Sequence, residues 1–371
     1  MGTGPINGMS PDNDNHIRKV AVIGVCCQPH VSLTPLLAMT RAWDFVKQQL
    51  TVGQAGGHMG SHIVSQLLQT GEHTITAITR PDSTASIVDG IRTVRVDYVN
   101  DDDAALVAAL VGQQALLITM SVTAPRDTVL KLIRAAAKAK VQFILPNWYG
   151  HDPANEQMCK DSLLAQSLDA TCNKVKELGV SSYFLLASGF WYEWSLSGGP
   201  DRYGFDFKQH SLVFFDGGET PMNTTTWPQS GRAIAKLLSL KIKPDGADDQ
   251  SPTLSQFQNS PVYISSFRVT QREIFESVKR VTGTTDADWS ISHETSEQRW
   301  KDSMDEIKKG NFSAFTKMLY SRAWFPNGDA DHESSRGLHN DMLGLPVEDL
   351  DEWTAVAIRM AENDEVPWIM H

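Results

Sequence analysis

Lys19-Val-Ala-Val-Ile-Gly24 and, after thirty intervening residues, Ala55-Gly-Gly-His-Met-Gly60 decide the fold of this chain. The first stretch is a short apolar, β-branched run ending in glycine, the pattern of a parallel strand buried on both faces. The second opens onto Ser61-His-Ile-Val-Ser-Gln-Leu-Leu-Gln69, where Ile63, Val64, Leu67 and Leu68 share one helical face and Gly71 marks the end. Joined end to end they read strand, G-x-x-G-x-x-G on Gly24, Gly57 and Gly60, then helix. Such glycines allow a tight turn, close approach of backbone to a pyrophosphate, and close strand–helix packing; the helix N-terminus aims N–H groups at the phosphate. Gly24, Gly57, His58, Met59 and Gly60 are therefore the first candidates for holding a dinucleotide.

The segment between them, Val25–Gln54, has neither the period of its flanks nor the composition of a loop. Read back through the genetic code, Val25-Cys26 can encode GTATGT, Leu50-Thr51 can encode CTNAC, and Gln54 can be CAG. These are the donor, branch and acceptor patterns of a short intron, and thirty codons preserve the frame. Residues 25–54 thus read as a retained intron. The alternative is a genuine insertion in the first strand–helix loop. Loop insertions are cheap in chain entropy, but this loop is the one that has to cradle phosphate.

Outward from the motif, strands and helices alternate. Strands are expected at His73–Thr79, Ile91–Val96, Ala115–Met120, Phe143–Pro146 and Tyr183–Ala187, with helices at Ala104–Val111, Thr128–Lys138 and Leu168–Leu178. That alternation predicts βαβ units with right-handed crossovers. Beyond Ser188 the period weakens among Gly, Pro and aromatic residues. A helix returns at Pro228–Leu240, a strand at Pro261–Ser266, and further helices at 271–280, 296–308, 312–319 and 350–361. The expected architecture is α/β: a Rossmann-type, doubly wound parallel sheet with a smaller, partly helical C-terminal substrate lobe. Its parts are a disordered tail over 1–16, a dinucleotide-binding domain over 17–187, and a lobe over 188–371 from which 228–240 and 261–266 return to the sheet.

Composition narrows the function. Among 371 residues, 33 Lys+Arg against 44 Asp+Glu give a net charge of −11, with 41% hydrophobic and 21% charged residues. This is the profile of a soluble globular protein. Nucleic-acid binding is not expected, because phosphate contacts need clustered cations; Lys131, Arg134 and Lys138 on one helical face read as solvated surface. Four cysteines (Cys26, Cys27, Cys159, Cys172) without a CxxC make no disulfide framework. No run approaches the ~20 apolar residues of a membrane span, and no signal-peptide core is seen. A cytoplasmic, membrane-independent protein is expected.

The second strand ends at Arg80, twenty positions after Gly60, where an acid would bind a ribose 2′-hydroxyl. A guanidinium there suits a 2′-phosphate, which favours NADP(H) over NAD(H); the competing explanation is a surface Arg after a strand. Asp97, ending the third strand, is placed either to border the adenine or to cap the next turn.

The strand–glycine–helix unit, Thr79-Arg80-Pro81 and Pro146-Asn147-Trp148-Tyr149-Gly150 together resemble the NmrA-like and isoflavone-reductase-like branch of atypical short-chain dehydrogenases, over about residues 17–280. The resemblance implies cofactor contacts at Gly24, Gly57, Gly60 and Arg80, and a nicotinamide beside Met120, Ser121, Pro146 and Asn147. It also implies a substrate pocket lined by Phe190-Trp191-Tyr192-Glu193-Trp194, with core packing as the alternative use of those aromatics. Two positions depart from the family. Trp148 stands where Glu is usual, and the catalytic Lys of its reductases falls on Leu168, which cannot move a proton. There is no Tyr-x-x-x-Lys pair either. Tyr192 and Lys160 are the candidate proton donors, Tyr192 first because it follows the sixth strand; His151 and Tyr149 are further acid–base groups in the region. His58 and His62 have zinc-ligand spacing, but Met59 replaces the Glu of H-E-x-x-H and a metal would collide with the phosphate, so no metal is expected. No G-x-S-x-G elbow is present. What the resemblance implies is an NADP(H)-dependent oxidoreductase acting on a small aromatic or conjugated molecule in secondary metabolism. The alternative is a non-catalytic NAD(P)-binding redox sensor of the NmrA type that signals through a protein partner.

Overall fold

Continuous burial along the central strands, with side chains alternating between two cores, sets the layers of the molecule. The computed structural model describes residues 15–24, 58–83, 91–98, 100, 103–120 and 127–366. Within them, β1 (Lys19–Ile23), β2 (Thr74–Thr79), β3 (Arg92–Arg95), β4 (Ala115–Ile118), β5 (Phe143–Leu145), β6 (Tyr149–Gly150) and β7 (Ser182–Ala187) are followed by the short strands β8 (Phe190–Trp191), β9 (Phe205–Asp206), β10 (Ser211–Phe215) and β11 (Met222–Thr225). Then come β12 (Ser260–Tyr263), β13 (Phe267–Val269) and β14 (Ser290–Glu294). Eight of them form one sheet in the order β12-β7-β5-β4-β1-β2-β3, with β6 also pairing with β7, and every pairing is parallel. Val20 lies opposite both Ile75 and Ala115. In β1, Val20 and Val22 enter one core and Ala21 and Ile23 the other; in β4, Ala115 and Leu117 oppose Leu116 and Ile118. A continuous apolar strand is what a sheet covered on both faces requires.

Helices α1 (His58–Thr70), α2 (Asp103–Leu110), α3 (Asp127–Lys138), α4 (Glu156–Asp161), α5 (Ala165–Leu178), α6 (Tyr192–Leu196) and α7 (Trp227–Ser239) occupy the two faces and the border with the lobe. Leu106, Leu132, Ile133, Leu168 and Val175 from α2, α3 and α5 fill one core. Ile63, Val64 and Leu67 of α1 fill the other with Ile234, Leu237 and Leu238 of α7. The two helices touch closely at Gly231, where a Cβ would stand 2.7 Å from the His62 carbonyl oxygen. Helix α7 and strand β12 thus belong to the sheet layers although they lie far along the chain.

The remaining helices, α8 (Gln271–Thr282), α9 (Ser296–Lys308), α10 (Phe315–Ala323), α11 (His332–Arg336) and α12 (Leu350–Glu362), pack with two three-stranded sheets, β14-β10-β9 and β13-β11-β8. Their shared core is aromatic, built on Tyr192, Tyr203, Phe205, Phe215, Phe267, Phe275 and Trp324. Two details differ from the sequence expectation. Asn15 and His16 are held rather than loose: Asn15 donates to the Lys243 carbonyl at 2.7 Å, and His16 bridges to Lys241. The strands expected to reach Met120 and Pro146 stop at Ile118 and Leu145; after β5 the reason is Pro146, which has no N–H for the ladder. Among the described residues no helix is long and apolar enough to cross a membrane.

Candidate functional site

The carboxyl ends of β1, β4 and β5 meet where the peeled chains rise from the sheet. Gly24 closes β1 with φ +91°, and a Cβ there would stand 2.4 Å from the Thr119 carbonyl oxygen. Only glycine meets both demands. The Thr119 backbone N–H and hydroxyl both donate to the Ile23 carbonyl at 2.9 Å. Asn147 Nδ2 donates to the Met120 carbonyl at 3.0 Å, and the Tyr149 hydroxyl to the Ile118 carbonyl at 2.9 Å. Burial holds the Tyr149 phenol well above its usual range.

Facing this floor are His58 and Met59 from the first turn of α1, with Trp191, Trp194 and Trp227. The His58 ring meets Trp227 edge-on at 4.4 Å and Trp194 at 6.1 Å; Trp227 lies 5.9 Å from Trp191 and 5.7 Å from Trp194. The cavity left between the walls is about 50 Å³, room for a few waters. His58 Nε2, Trp191 Nε1 and Trp227 Nε1 are buried without a hydrogen-bond partner among the described residues, a cost of about 1–3 kcal/mol for each such group. Burial lowers His58 to about 4 and His62 to about 3, so both imidazoles are neutral at pH 7.

Beside the tryptophans, Glu193 Oε1 accepts the Trp227 backbone N–H at 2.8 Å while Oε2 has no partner among the described residues. Burial pushes this carboxyl up to about 8. Trp227 opens α7, whose amino end is capped by Thr226, with Pro228 in the first turn. Glu348 ties the same corner together, accepting from Thr226 at 2.8 Å, Ser266 at 2.5 Å and Arg232 at 2.7 Å.

Of the residues singled out from sequence, Gly24, His58, Met59, Met120 and Asn147 come together at this edge, with Gly60 buried in α1 and Pro146 buried just past β5. Gly57, Ser121 and the whole of Val25–Gln54 lie outside the described residues. Arg80 is exposed at the end of β2, 3.5 Å from the Asp82 carboxylate. Arg95 Nη1 fastens that turn by donating to the carbonyls of Pro81 at 3.1 Å and Ser83 at 3.0 Å. Asp97 accepts from both the backbone and the side chain of Asn100 at 3.0 Å, so it caps the turn.

Both candidate proton donors are corrected. Tyr192 does not reach the cleft: it is fully buried in the lobe core, edge-on to Phe267, with its hydroxyl 2.6 Å from Thr354 Oγ1. Lys160 sits on the outer side of α4, exposed and 3.4 Å from Glu156. His151 is buried beside Cys159 and Ser162 and lines no part of the cleft. Leu168 is a core residue of α5, and Trp148 packs into the same core, its indole donating to the His151 carbonyl at 3.2 Å. Trp191 and Trp194 of the aromatic run do line the cleft; Phe190 instead stacks on Tyr320. Trp227 was missed by the sequence reasoning. Its signal was the Thr226-Trp227-Pro228 helix start, which marks where α7 begins but not what its first residue faces.

A family model described as NAD(P)H-binding matches residues 55–174. The Aspergillus flavus protein named oxidoreductase aprR is 23% identical over 310 residues, covering 82% of this chain and 97% of that protein. The structure of AtPrR2 with NADP+ and (+)pinoresinol has a TM-score of 0.61 at 17% identity, covering 92% of this chain and 99% of that one. Isoflavone reductase gives a TM-score of 0.61 at 15% identity, with the same coverages of 92% and 99%. These structures share the parallel-sheet fold, matched along nearly their whole length. The chain thus carries an NAD(P)H-binding domain over residues 55–174 and shares the fold of these reductase structures.

Proposed function

We propose that the protein is an NADP(H)-dependent oxidoreductase acting on a small aromatic or conjugated molecule, a substrate class suited to secondary metabolism. The observation that carries this is the meeting, in one cleft, of the glycine-only approach of Gly24 to Thr119 with the indoles of Trp191, Trp194 and Trp227. A dinucleotide fits the residues present. Gly24 lets the chain leave β1 at φ +91° close against Thr119, and the first turn of α1 offers backbone N–H groups without intrahelical partners. Gly24, Gly57, Gly60 and the backbone of His58 and Met59 would hold the diphosphate. Arg80 would meet the 2′-phosphate, in keeping with the NADP+ in the AtPrR2 structure. Asp97, while capping its turn, would border the adenine, and Met120, Ser121, Pro146 and Asn147 the nicotinamide.

When bound, the cofactor supplies hydride chemistry. The chain's own residues orient and shield it. Asn147 and Tyr149 pin the Met120 and Ile118 carbonyls, so the floor under the ring is fixed. The indoles exclude water from the face where substrate would lie. The second reading, a redox sensor, is favoured by one observation: Leu168 is buried core at the family's Lys position, and no Lys or Arg is among the described residues lining the cleft.

Oxidation of NADPH with a panel of aryl ketones, enones and quinones tests the proposal, with the chain supplied both whole and lacking Val25–Gln54. Substrate-dependent oxidation is expected, with tighter NADPH binding when the segment is removed, because the phosphate turn is then short. Tight NADPH binding with no oxidation across the panel would give the sensor reading precedence.

A further inference from the structure

We infer that Arg95 is a positioning residue for the 2′-phosphate of NADP(H): it holds the turn that carries Arg80, and so sets the preference for NADPH over NADH without touching the cofactor itself. The inference rests on the reading of Arg80 as the partner of that phosphate. Strand β3 runs parallel to β2 with Arg95 opposite Thr79, and the Val96 N–H donates to the Thr79 carbonyl at 2.9 Å. Arg95 therefore stands at the root of the chain leaving β2. Val94 and Val96 turn to the core shared with α2, α3 and α5, so alternation puts Arg95 on the other face of the strand. From there its Nη1 donates to three carbonyls of one turn, those of Arg80 at 3.4 Å, Pro81 at 3.1 Å and Ser83 at 3.0 Å.

The turn has little internal freedom. The Ser83 N–H closes it on the Arg80 carbonyl at 3.2 Å, the bond that defines a β-turn, and Pro81 in its second position fixes φ. What remains open is the tilt of the whole turn on the end of β2, and three carbonyls gathered on one guanidinium nitrogen fix that tilt. Bonds from a charged donor of this kind are stronger than neutral ones. Arg80, in the first position of the turn, thereby has its backbone direction set before any ligand arrives. Its guanidinium meets the Asp82 carboxylate at 3.5 Å with both side chains exposed, a weak pair that a phosphate can replace. A side chain carried on an ordered backbone gives up less freedom when it grips the phosphate. NADH presents a hydroxyl at the same place and gains little from the arrangement.

A double-mutant cycle on the full chain tests this, with NADPH and NADH affinities measured by calorimetry for wild type, Arg80→Ala, Arg95→Met and the double variant. Arg95→Met keeps much of the apolar stem and removes the donors. It should weaken NADPH binding about fivefold and leave NADH binding within about twofold, the second figure showing that the fold and the rest of the site are intact. Arg95→Lys, whose ammonium also has three donors, should restore most of the preference. In the Arg80→Ala background Arg95→Met should move the ratio of the two affinities no further, because the residue it positions is gone. A ratio unmoved by Arg95→Met alone would overturn the inference, since the contact would then serve the fold only; equal weakening of both dinucleotides would do the same. Losses that multiply in the double variant would also overturn it, by giving Arg95 its own contact with the phosphate. An Arg80→Ala ratio equal to that of wild type would instead contradict the reading of Arg80, and the inference would fall with it.

Discussion

On the sheet wall of the cleft the carbonyls of Ile23, Ile118 and Met120 already accept from Thr119, Tyr149 and Asn147, whereas on the opposite wall His58, Trp191 and Trp227 have ring nitrogens without a partner among the described residues. The first wall is complete by itself: backbone geometry and short polar side chains fix it whether or not anything is bound. The second is assembled from α1, the β8–α6 corner and the start of α7, and it is aromatic. A fixed floor facing a wall drawn from separate elements lets one fold keep one side of its site while the other changes.

The strongest way to break the sheet wall is Gly24→Val. A Cβ at φ +91° and 2.4 Å from a backbone carbonyl should destabilise the protein by about 3 kcal/mol or more. Urea unfolding should show the lowered midpoint, and NADPH affinity should fall with it; wild-type stability would mean that the close approach does not matter. Arg80→Ala, outside both walls, should leave NADH binding nearly unchanged and lower NADPH affinity by at least about tenfold, the loss of a charge-assisted contact of about 1.5–3 kcal/mol. An unchanged ratio of the two affinities would put the 2′-phosphate elsewhere.

The smallest effect sharpens the lobe side. Glu193 stands at about 8 in the fold, against about 4.3 for an unfolded Glu. Between those values the folded state keeps a proton that the unfolded state has released, so stability falls as pH rises through this window. The buried imidazoles, His58 and His62 at about 4 and about 3 among them, act in the opposite sense up to somewhat above about 6.5, the ordinary value for His, and do so equally in wild type and Glu193→Gln. Relative to Glu193→Gln, wild type should therefore lose stability between pH 5 and 7 with a slope of at most about 1.4 kcal/mol per pH unit. Parallel slopes for the two proteins would show that the carboxyl is ionised throughout.

The same contrast governs what could be read from sequence. Strands β1, β2, β4, β5 and β7 announce themselves because a sheet covered on both faces needs apolar runs, and Lys19–Gly24 is one. Met120 and Asn147 could be placed because they follow such runs directly. The lobe wall has no comparable signal. Phe190–Trp194 begins as a two-residue strand and becomes helix at Tyr192, so the period changes from two to 3.6 within five residues. Trp191 and Trp194, three apart, then share the cleft while Tyr192 turns into the core. Lys160 was misplaced for a related reason: in the short α4, Met158 and Cys159 take the buried side and Lys160 the outer one. Trp227 is brought to the cleft by the packing of α7 on α1, a contact between residues far apart in sequence that no local pattern encodes.

A crystal structure of the protein with NADP+ tests the central claim most directly. The account predicts the pyrophosphate at Gly24 and the start of α1, the 2′-phosphate on Arg80, and the nicotinamide ring between the Met120–Asn147 floor and the Trp191–Trp194–Trp227 wall. A dinucleotide bound with its nicotinamide away from that wall, or with Gly24 untouched, would contradict it.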